Sequence, residues 1–296
     1  MKQKTIIILS LLSMYLIWGS TYLVIRIAIV SIPPLLMTSA RLFLAGTILF
    51  VFLLLRRHAL PNRRQWRNAF IVGGLMLGGG LGATTFAEQW IESGLAAVLV
   101  ATVPLWTTLM VSAGGKKPSK QEWIGIFVGL FGVLLLNAED NLQANPMGAL
   151  LLLLAPISWA LGSALSKRLE LPKGSMGFAS EMLMGAAVLF VLALLRGEQI
   201  TTPPDTSAII AWLYLAIFGS LIAFSAYMYL LQTVNVTLAT SYAYVNPVVA
   251  VFLGVLVAGE TISTFGMVAV GVILSAVVII SFAQRKPKMA VSMAGD

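Results

Sequence analysis

Runs of about twenty apolar residues, each bounded by charged or turn-forming residues, recur along the whole length of this chain. A bilayer core of about 30 Å takes about 20 residues of helix to cross. Ten segments qualify: 5–29, 35–55, 69–91, 95–113, 121–137, 147–167, 176–195, 208–231, 238–258 and 264–283. The fifth is the shortest, its apolar part lying between Trp123 and Asn137. A bilayer offers no water to satisfy backbone amides, so each segment must be a helix. The sequence therefore predicts an all-α polytopic membrane protein with ten transmembrane helices. Composition agrees: 59% of residues are apolar and 10% charged, where soluble proteins carry about 25% charged. The basic start, Met1 to Thr5, is that of a signal peptide. The apolar run behind it continues to about Val30 without a small-x-small cleavage site, so an uncleaved first span is expected.

The chain is also written twice. The stretch Glu88–Pro104, EQWIESGLAAVLVATVP, returns as LQTVNVTLATSYAYVNP at Leu231–Pro247. Gln89, Ala96 and Pro104 find their echoes at Gln232, Ala239 and Pro247, all at one constant interval. Trp18 returns as Trp159, Leu49-Phe50 as Leu189-Phe190, and Gly132-Val133 as Gly271-Val272, each at nearly that interval. A small drift of this kind fits short insertions in loops. Two units follow, 1–140 and 141–296, each of five spans. An odd number of spans sends the second unit across the membrane in the opposite sense. Such inverted repeats are a common transporter architecture, with the substrate site near the midplane between them.

Lysine and arginine set the orientation. With the N-terminus cytoplasmic, sixteen fall in inside loops or tails: Lys2, Lys4, Arg56, Arg57, Arg63, Arg64, Arg67, Lys116, Lys117, Lys120, Lys167, Arg168, Lys173, Arg285, Lys286 and Lys288. Arg196 alone falls outside, and Arg26 and Arg41 lie near or within spans. Both termini are then cytoplasmic and the number of spans is even. The net charge of +8 is dispersed over every inside loop, which argues against nucleic acid as a partner.

The inventory removes several function classes. The chain has no cysteine, and its one histidine, His58, sits in a polar loop beside Arg56 and Arg57. Thiol catalysis, a histidine proton relay and a multi-histidine metal site are excluded. Asp140, Asp205 and Asp296 lie outside the spans, so no hydrolytic constellation is left for an intramembrane enzyme. No GxxxxGK[ST] phosphate loop occurs, which removes ATP coupling within this chain. No cofactor or metal is expected.

Leu16-Ile17-Trp18-Gly19-Ser20 through Arg26, Ser39-Ala40-Arg41-Leu42, the Ala96 to Pro104 helix, Trp159 to Gly162-Ser163, Ala239 to Pro247, and Gly259-Glu260-Thr261-Ile262-Ser263 form one repeated pattern. It resembles the EamA family of the drug/metabolite transporter superfamily, ten-helix exporters of bacterial inner membranes. In one place the halves depart from each other: opposite Gly259-Glu260, the first half has Gly114-Gly115-Lys116-Lys117. Any role for the family's glutamate there belongs to Glu260 alone. The resemblance implies an inner-membrane secondary transporter exporting a small metabolite, an amino acid or related compound, by alternating access. A non-transporting membrane assembly partner and a channel-like facilitator stand as alternatives.

Candidate site residues are weighed against plain packing. Trp18, Thr21, Tyr22, Gln89, Trp106, Trp159, Ser163, Tyr227, Tyr242 and Asn246 are expected to line a substrate cavity, with Ser20, Gln232, Ser241 and Tyr244 beside them. Aromatic rings with a few polar points suit a small amphipathic solute. Interfacial belts and helix packing use the same residues. Arg41 either snorkels to the outer interface or faces the bundle as a fixed charge, with Glu88 as its expected counter-charge. Glu181 holds the repeat-related place nearer the cytoplasmic face, too far in depth to pair with Arg41. With no histidine available, Glu88 and then Glu181 are the acids for proton coupling or gating, while Glu260 is expected in a loop where water keeps it ionised. Pro104 and Pro247 kink their helices. Gly74, Gly78 and Gly82, and the Gly125 to Gly129 step, are close-packing faces. The second also suits a contact between two copies of the chain. Small-molecule substrate and membrane lipid are the expected partners.

Overall fold

The structure, a computed structural model, describes residues 2–113, 118–136, 145–234 and 242–283. Within them run ten apolar helices. They are α1 (Gln3–Ala28), α2 (Pro34–Leu55), α3 (Arg63–Ala87), α4 (Ser93–Met110), α5 (Lys120–Leu136), α6 (Pro146–Ser166), α7 (Ser175–Leu195), α8 (Thr206–Tyr227), α9 (Tyr242–Ala258) and α10 (Thr264–Ala283). Seven of them, α1 to α4 and α6 to α8, are long and apolar enough to cross a membrane. No strand occurs among the described residues. Lys116, Lys117, Ala239 and Ser241, and the side chains of Gln232 and Tyr244, lie outside the described residues.

Local chemistry sets the helix ends. Asn62 and Gln65 form a reciprocal capping box at the start of α3. Pro34 and Pro146 open α2 and α6, where a missing backbone donor costs nothing. Asp205 caps α8, accepting from the Ala208 amide at 2.7 Å and from Ser207 Oγ at 2.7 Å. Those bonds, the backbone one foremost, hold its carboxyl below the usual carboxylate range.

The ends of α2 and α7 show the duplication at the level of backbone bonds. The Arg57 amide donates to Leu54 O and the His58 amide to Leu53 O, at 2.9 and 3.0 Å. The Gly197 amide donates to Leu194 O and the Glu198 amide to Ala193 O, at 3.0 and 2.9 Å. Both are Schellman closures, separated by the same interval as Leu49-Phe50 and Leu189-Phe190. Each needs a left-handed residue, and φ is +70° at Gly197 but +62° at Arg57. The second unit uses glycine there; the first bears the strain of a side chain.

Helix contacts obey the same exchange. If α1 to α5 correspond to α6 to α10, then α2 against α7, α4 against α9 and α5 against α10 each map onto themselves. The packing of α3 on α6 and α7 is answered by α8 on α1 and α2, and α9 on α1 by α4 on α6. This is the inverted five-plus-five repeat. Apolar residues are buried in separate seams between helices, such as Leu42, Ala45, Leu77, Met182 and Leu189 between α2, α3 and α7.

Glycines decide how close two of these seams run. The glycine-rich middle of α3 is wedged between α6 and α7: a methyl at Gly80 would meet Trp159, and one at Gly82 would collide with Leu189. On α5, a methyl at Gly125 would collide with Ile280 and one at Gly129 with Leu105. The α5 glycine face that also suited a contact between copies is thus filled from within the chain, by α10 and α4. The α1–α2, α3–α4, α7–α8 and α9–α10 loops share one end of the molecule, opposite the N-terminus, called the distal end below.

Candidate functional site

The site is built around the middle of α1. Residues Met14–Trp18 are π-helical, as are Gly74–Gly82 of α3 and Leu215–Ile222 of α8. Such widened turns leave carbonyls free for partners and recur at functional sites. The segments in α3 and α8 start at Gly74 and Leu215, the same interval that separates Trp18 from Trp159. In α6, Pro156 stands at that interval from Tyr15, which lies in the widened turn of α1. Pro156 was not among the expected kinks, although the spacing contained it.

The Trp18 indole nitrogen donates to Gly219 O, in the widened turn of α8, at 3.0 Å. Its ring meets Tyr242 edge-on at 4.9 Å and lies 5.5 Å from Tyr227 and 6.4 Å from Phe224. Tyr227 and Tyr242 also meet edge-on, at 5.6 Å. Phe224 continues the cluster to Phe178 of α7, on which it stacks at 3.1 Å. Neither phenylalanine was expected, since sequence pattern does not separate them from lipid-facing rings. Gly19 lets α1 approach α9, because a methyl there would lie 2.7 Å from Val249. Ser20 shares a hydrogen bond with the Tyr214 hydroxyl at 2.8 Å, and Thr21 bonds back to Trp18 O at 2.6 Å.

The buried charges depart from expectation. Arg41 is 5% exposed and does not snorkel. Nor does it bond to Glu88: its Nε donates to Ser220 Oγ at 2.9 Å, and that hydroxyl passes a bond to Leu215 O at 3.1 Å. The widened turn of α8 presents this hydroxyl. Arg41 Nη1 and both carboxylate oxygens of Glu88 are buried without a hydrogen-bond partner. Glu88 is 3% exposed, with Glu260, Arg26 and Arg41 as its charged neighbours, and it is felt in turn at Tyr22. Arg41 and Glu88 therefore stand near each other without a bond between them. An unpaired charge in an apolar interior is costly, so both are poised for a partner.

Glu260 is corrected as well. It does not stand in loop water but is 5% exposed and held by protein donors at the start of α4. Gln89 is corrected from the cavity to the surface. The helix ends at Ala87, and Gln89 turns out, its amide bonded to Phe86 O at 2.8 Å. It lines an open distal groove of about 540 Å³ together with Ile29 to Pro34, Phe86 and Arg196 to Thr202.

The remaining residues are spread over other seams. Trp159 lies against Gly80 between α6 and α3, the repeat counterpart of Trp18 against α8. Ser163 is next to it and reaches Met76 Sδ at 3.8 Å. Trp106 donates to Thr102 Oγ1 at 3.3 Å. Asn246 is buried, with its Oδ1 unpartnered, and its carbonyl faces Gly19. Glu181 is 9% exposed in α7, on a different helix seam from Arg41, where its backbone leaves no room for a methyl on Gly73. Pro104 does more than kink α4: the helix breaks at Ala101-Thr102 and restarts at Val103, with Pro104 in the first turn. Pro247 is inside α9, so the paired prolines sit differently.

An inverted helical duplication with unpaired charges buried between its halves defines a membrane transporter of the repeat class. The chain belongs to the EamA-like transporter family, whose pattern matches it twice, at residues 5–138 and 146–282. It is 50% identical over 273 residues to the uncharacterized inner membrane transporter YedA of Escherichia coli K12, covering 92% of this chain and 89% of that one. It is 27% identical to the uncharacterized transporter YoaV of Bacillus subtilis 168, covering 87% and 90% of the two chains. A solved crystal structure superposes with a TM-score of 0.66 at 20% identity, over 94% of this chain and 98% of the other, and so shares the fold.

Proposed function

We propose that this protein is an inner-membrane secondary transporter that exports a small metabolite, an amino acid or a related compound, by alternating access between units 1–140 and 141–296. Both termini are cytoplasmic, so the distal end faces outward. Substrate sits beside the Trp18 to Tyr22 face of α1, among Tyr227, Tyr242 and Asn246, where Arg41 and Glu88 meet its polar groups. Glu88 is the coupling acid and Glu181 the second candidate.

One observation carries this reading: Arg41 and Glu88 are both buried, near each other, and left with unpartnered polar atoms. A purely structural pair would close into a salt bridge, because leaving either charge bare is costly. The membrane placement is supported by the charge bias and by the inner-membrane transporter to which the chain is 50% identical. Counterflow of a panel of labelled amino acids and related metabolites in proteoliposomes tests the reading. Saturable, substrate-specific exchange is expected. Leak without saturation or counterflow would mark a channel, and no flux for any member would remove transport of this class.

A further inference from the structure

Two carboxylates of the second unit reach across the distal end to the first. Glu198 accepts from the Leu35 and Leu36 amides at the start of α2, at 3.2 and 2.9 Å. Glu260 does more. Its Oε1 accepts from the Ser93 amide at 2.8 Å, from Ser93 Oγ at 2.6 Å and from Arg26 Nη1 at 2.8 Å, and its Oε2 accepts from the Gly94 amide at 3.0 Å. One side chain thus joins the ends of α1, α4 and α9, with 2% of its own surface exposed. The slot is made by glycines: a methyl on Gly254 would collide with the carboxylate, and one on Gly94 would lie 3.4 Å from it.

We propose that Glu260 and Arg26 form a clamp that holds the distal end of the two units shut, and that transport opens and re-forms it. Three features mark a gate. The bonds run between the units, so they must break if the units part at that end. Arg26 is one turn above Tyr22 on the same face of α1, so the clamp is mechanically joined to the candidate substrate site. The other end has no buried acid to match: the ion pair between the units there, Arg64 Nε to Glu170 Oε2 at 3.5 Å, is exposed on both sides. The first-unit counterpart of Glu198 is His58, beside the left-handed Arg57, and that of Glu260 falls in the Gly114 to Lys117 stretch. The two ends are therefore held unequally, and the clamp biases the protein toward the distal-closed state.

The absence of native cysteine makes the test direct. Ala97→Cys, one turn inside Ser93 on α4, reports distal opening, and Ala179→Cys, near the start of α7, reports the opposite end; both positions are buried. Labelling with a membrane-impermeant maleimide is compared in intact cells and inverted vesicles. Hydrogen bonds to charged groups set the scale, so Arg26→Gln and Glu260→Gln should each speed labelling at 97 roughly tenfold. Labelling at 179 should slow at the same time. Arg26→Gln leaves the bonds from Ser93 and Gly94 in place, so it decides the matter if Glu260→Gln does not fold. Unchanged labelling at both positions overturns the clamp, and so does faster labelling at both, which is general loosening. The direction rests on the orientation proposed above. If position 97 is reached from the cytoplasmic side, that orientation fails while the reciprocal shift still supports the clamp.

Discussion

The indole nitrogen of Trp18 and the carbonyl oxygen of Gly219 lie 3.0 Å apart, joined by a hydrogen bond that ties α1 of the first unit to the widened turn of α8 in the second. Trp159, its repeat counterpart, is instead packed against Gly80. Identical residues in matching places therefore carry different work. Trp18→Phe keeps an aromatic ring but loses the bond, worth about 1 kcal/mol, together with part of the indole's packing, so transport should fall at least roughly fivefold at near-normal abundance. Trp159→Ala should destabilise the protein by about 3–5 kcal/mol and lower activity in step with abundance. Exchange rates normalised to immunoblots of membranes separate the two.

Arg41 meets Ser220 through Nε and leaves Nη1 bare. Lysine keeps the charge but cannot hold this fork geometry, so Arg41→Lys should raise KM by about tenfold. Ser220→Ala should raise it less, because the guanidinium remains. Initial-rate transport kinetics in proteoliposomes read both. An unchanged KM in Arg41→Lys would show that the guanidinium does not meet substrate.

Glu88→Gln keeps shape and removes the charge. If Glu88 carries the coupling proton, the variant loses uphill transport driven by a pH gradient yet keeps exchange, which moves no net proton. Glu181→Gln should leave both intact. A double variant that still transports uphill with the same pH response would show that neither acid is used, leaving membrane potential or downhill exit as the drive.

Gly197 and Arg57 occupy matching left-handed positions. A methyl on Gly197 meets nothing within 4 Å, so any penalty comes from the backbone alone. Gly197→Ala should cost about 1 kcal/mol, and Arg57→Gly should stabilise by a similar or smaller amount. Thermal unfolding in detergent, followed by tryptophan fluorescence, checks the opposite signs.

Reporter fusions after residues 60, 118, 170 and 290 should report cytoplasm, and fusions after 140 and 200 periplasm. A periplasmic signal after 290 would be incompatible with an even number of spans.

The helices and their order were legible because membrane burial forces long apolar runs, and the duplication because the spacing from Trp18 to Trp159 barely changes by Pro104 and Pro247. The partners of the charges were not. Arg41 turned to Ser220 rather than Glu88 because a widened turn in α8 aims that hydroxyl inward, and no periodicity announces such a turn. Gln89 was misplaced by where α3 stops. Glu260 stood out only as a departure between the halves; two of its four donors are backbone amides, which no side-chain pattern reveals.

The pairs α2–α7, α4–α9 and α5–α10 are each their own counterpart under exchange of the units. A contact with that property is isologous, the kind that two identical five-helix proteins would form in associating about a two-fold axis. Here both partners are on one chain. Separate protomers would have to find each other by collision, with a stability that depends on their concentration. Fusion removes that dependence, and it frees the two halves to diverge, so that one end acquires a buried carboxylate the other never had to match.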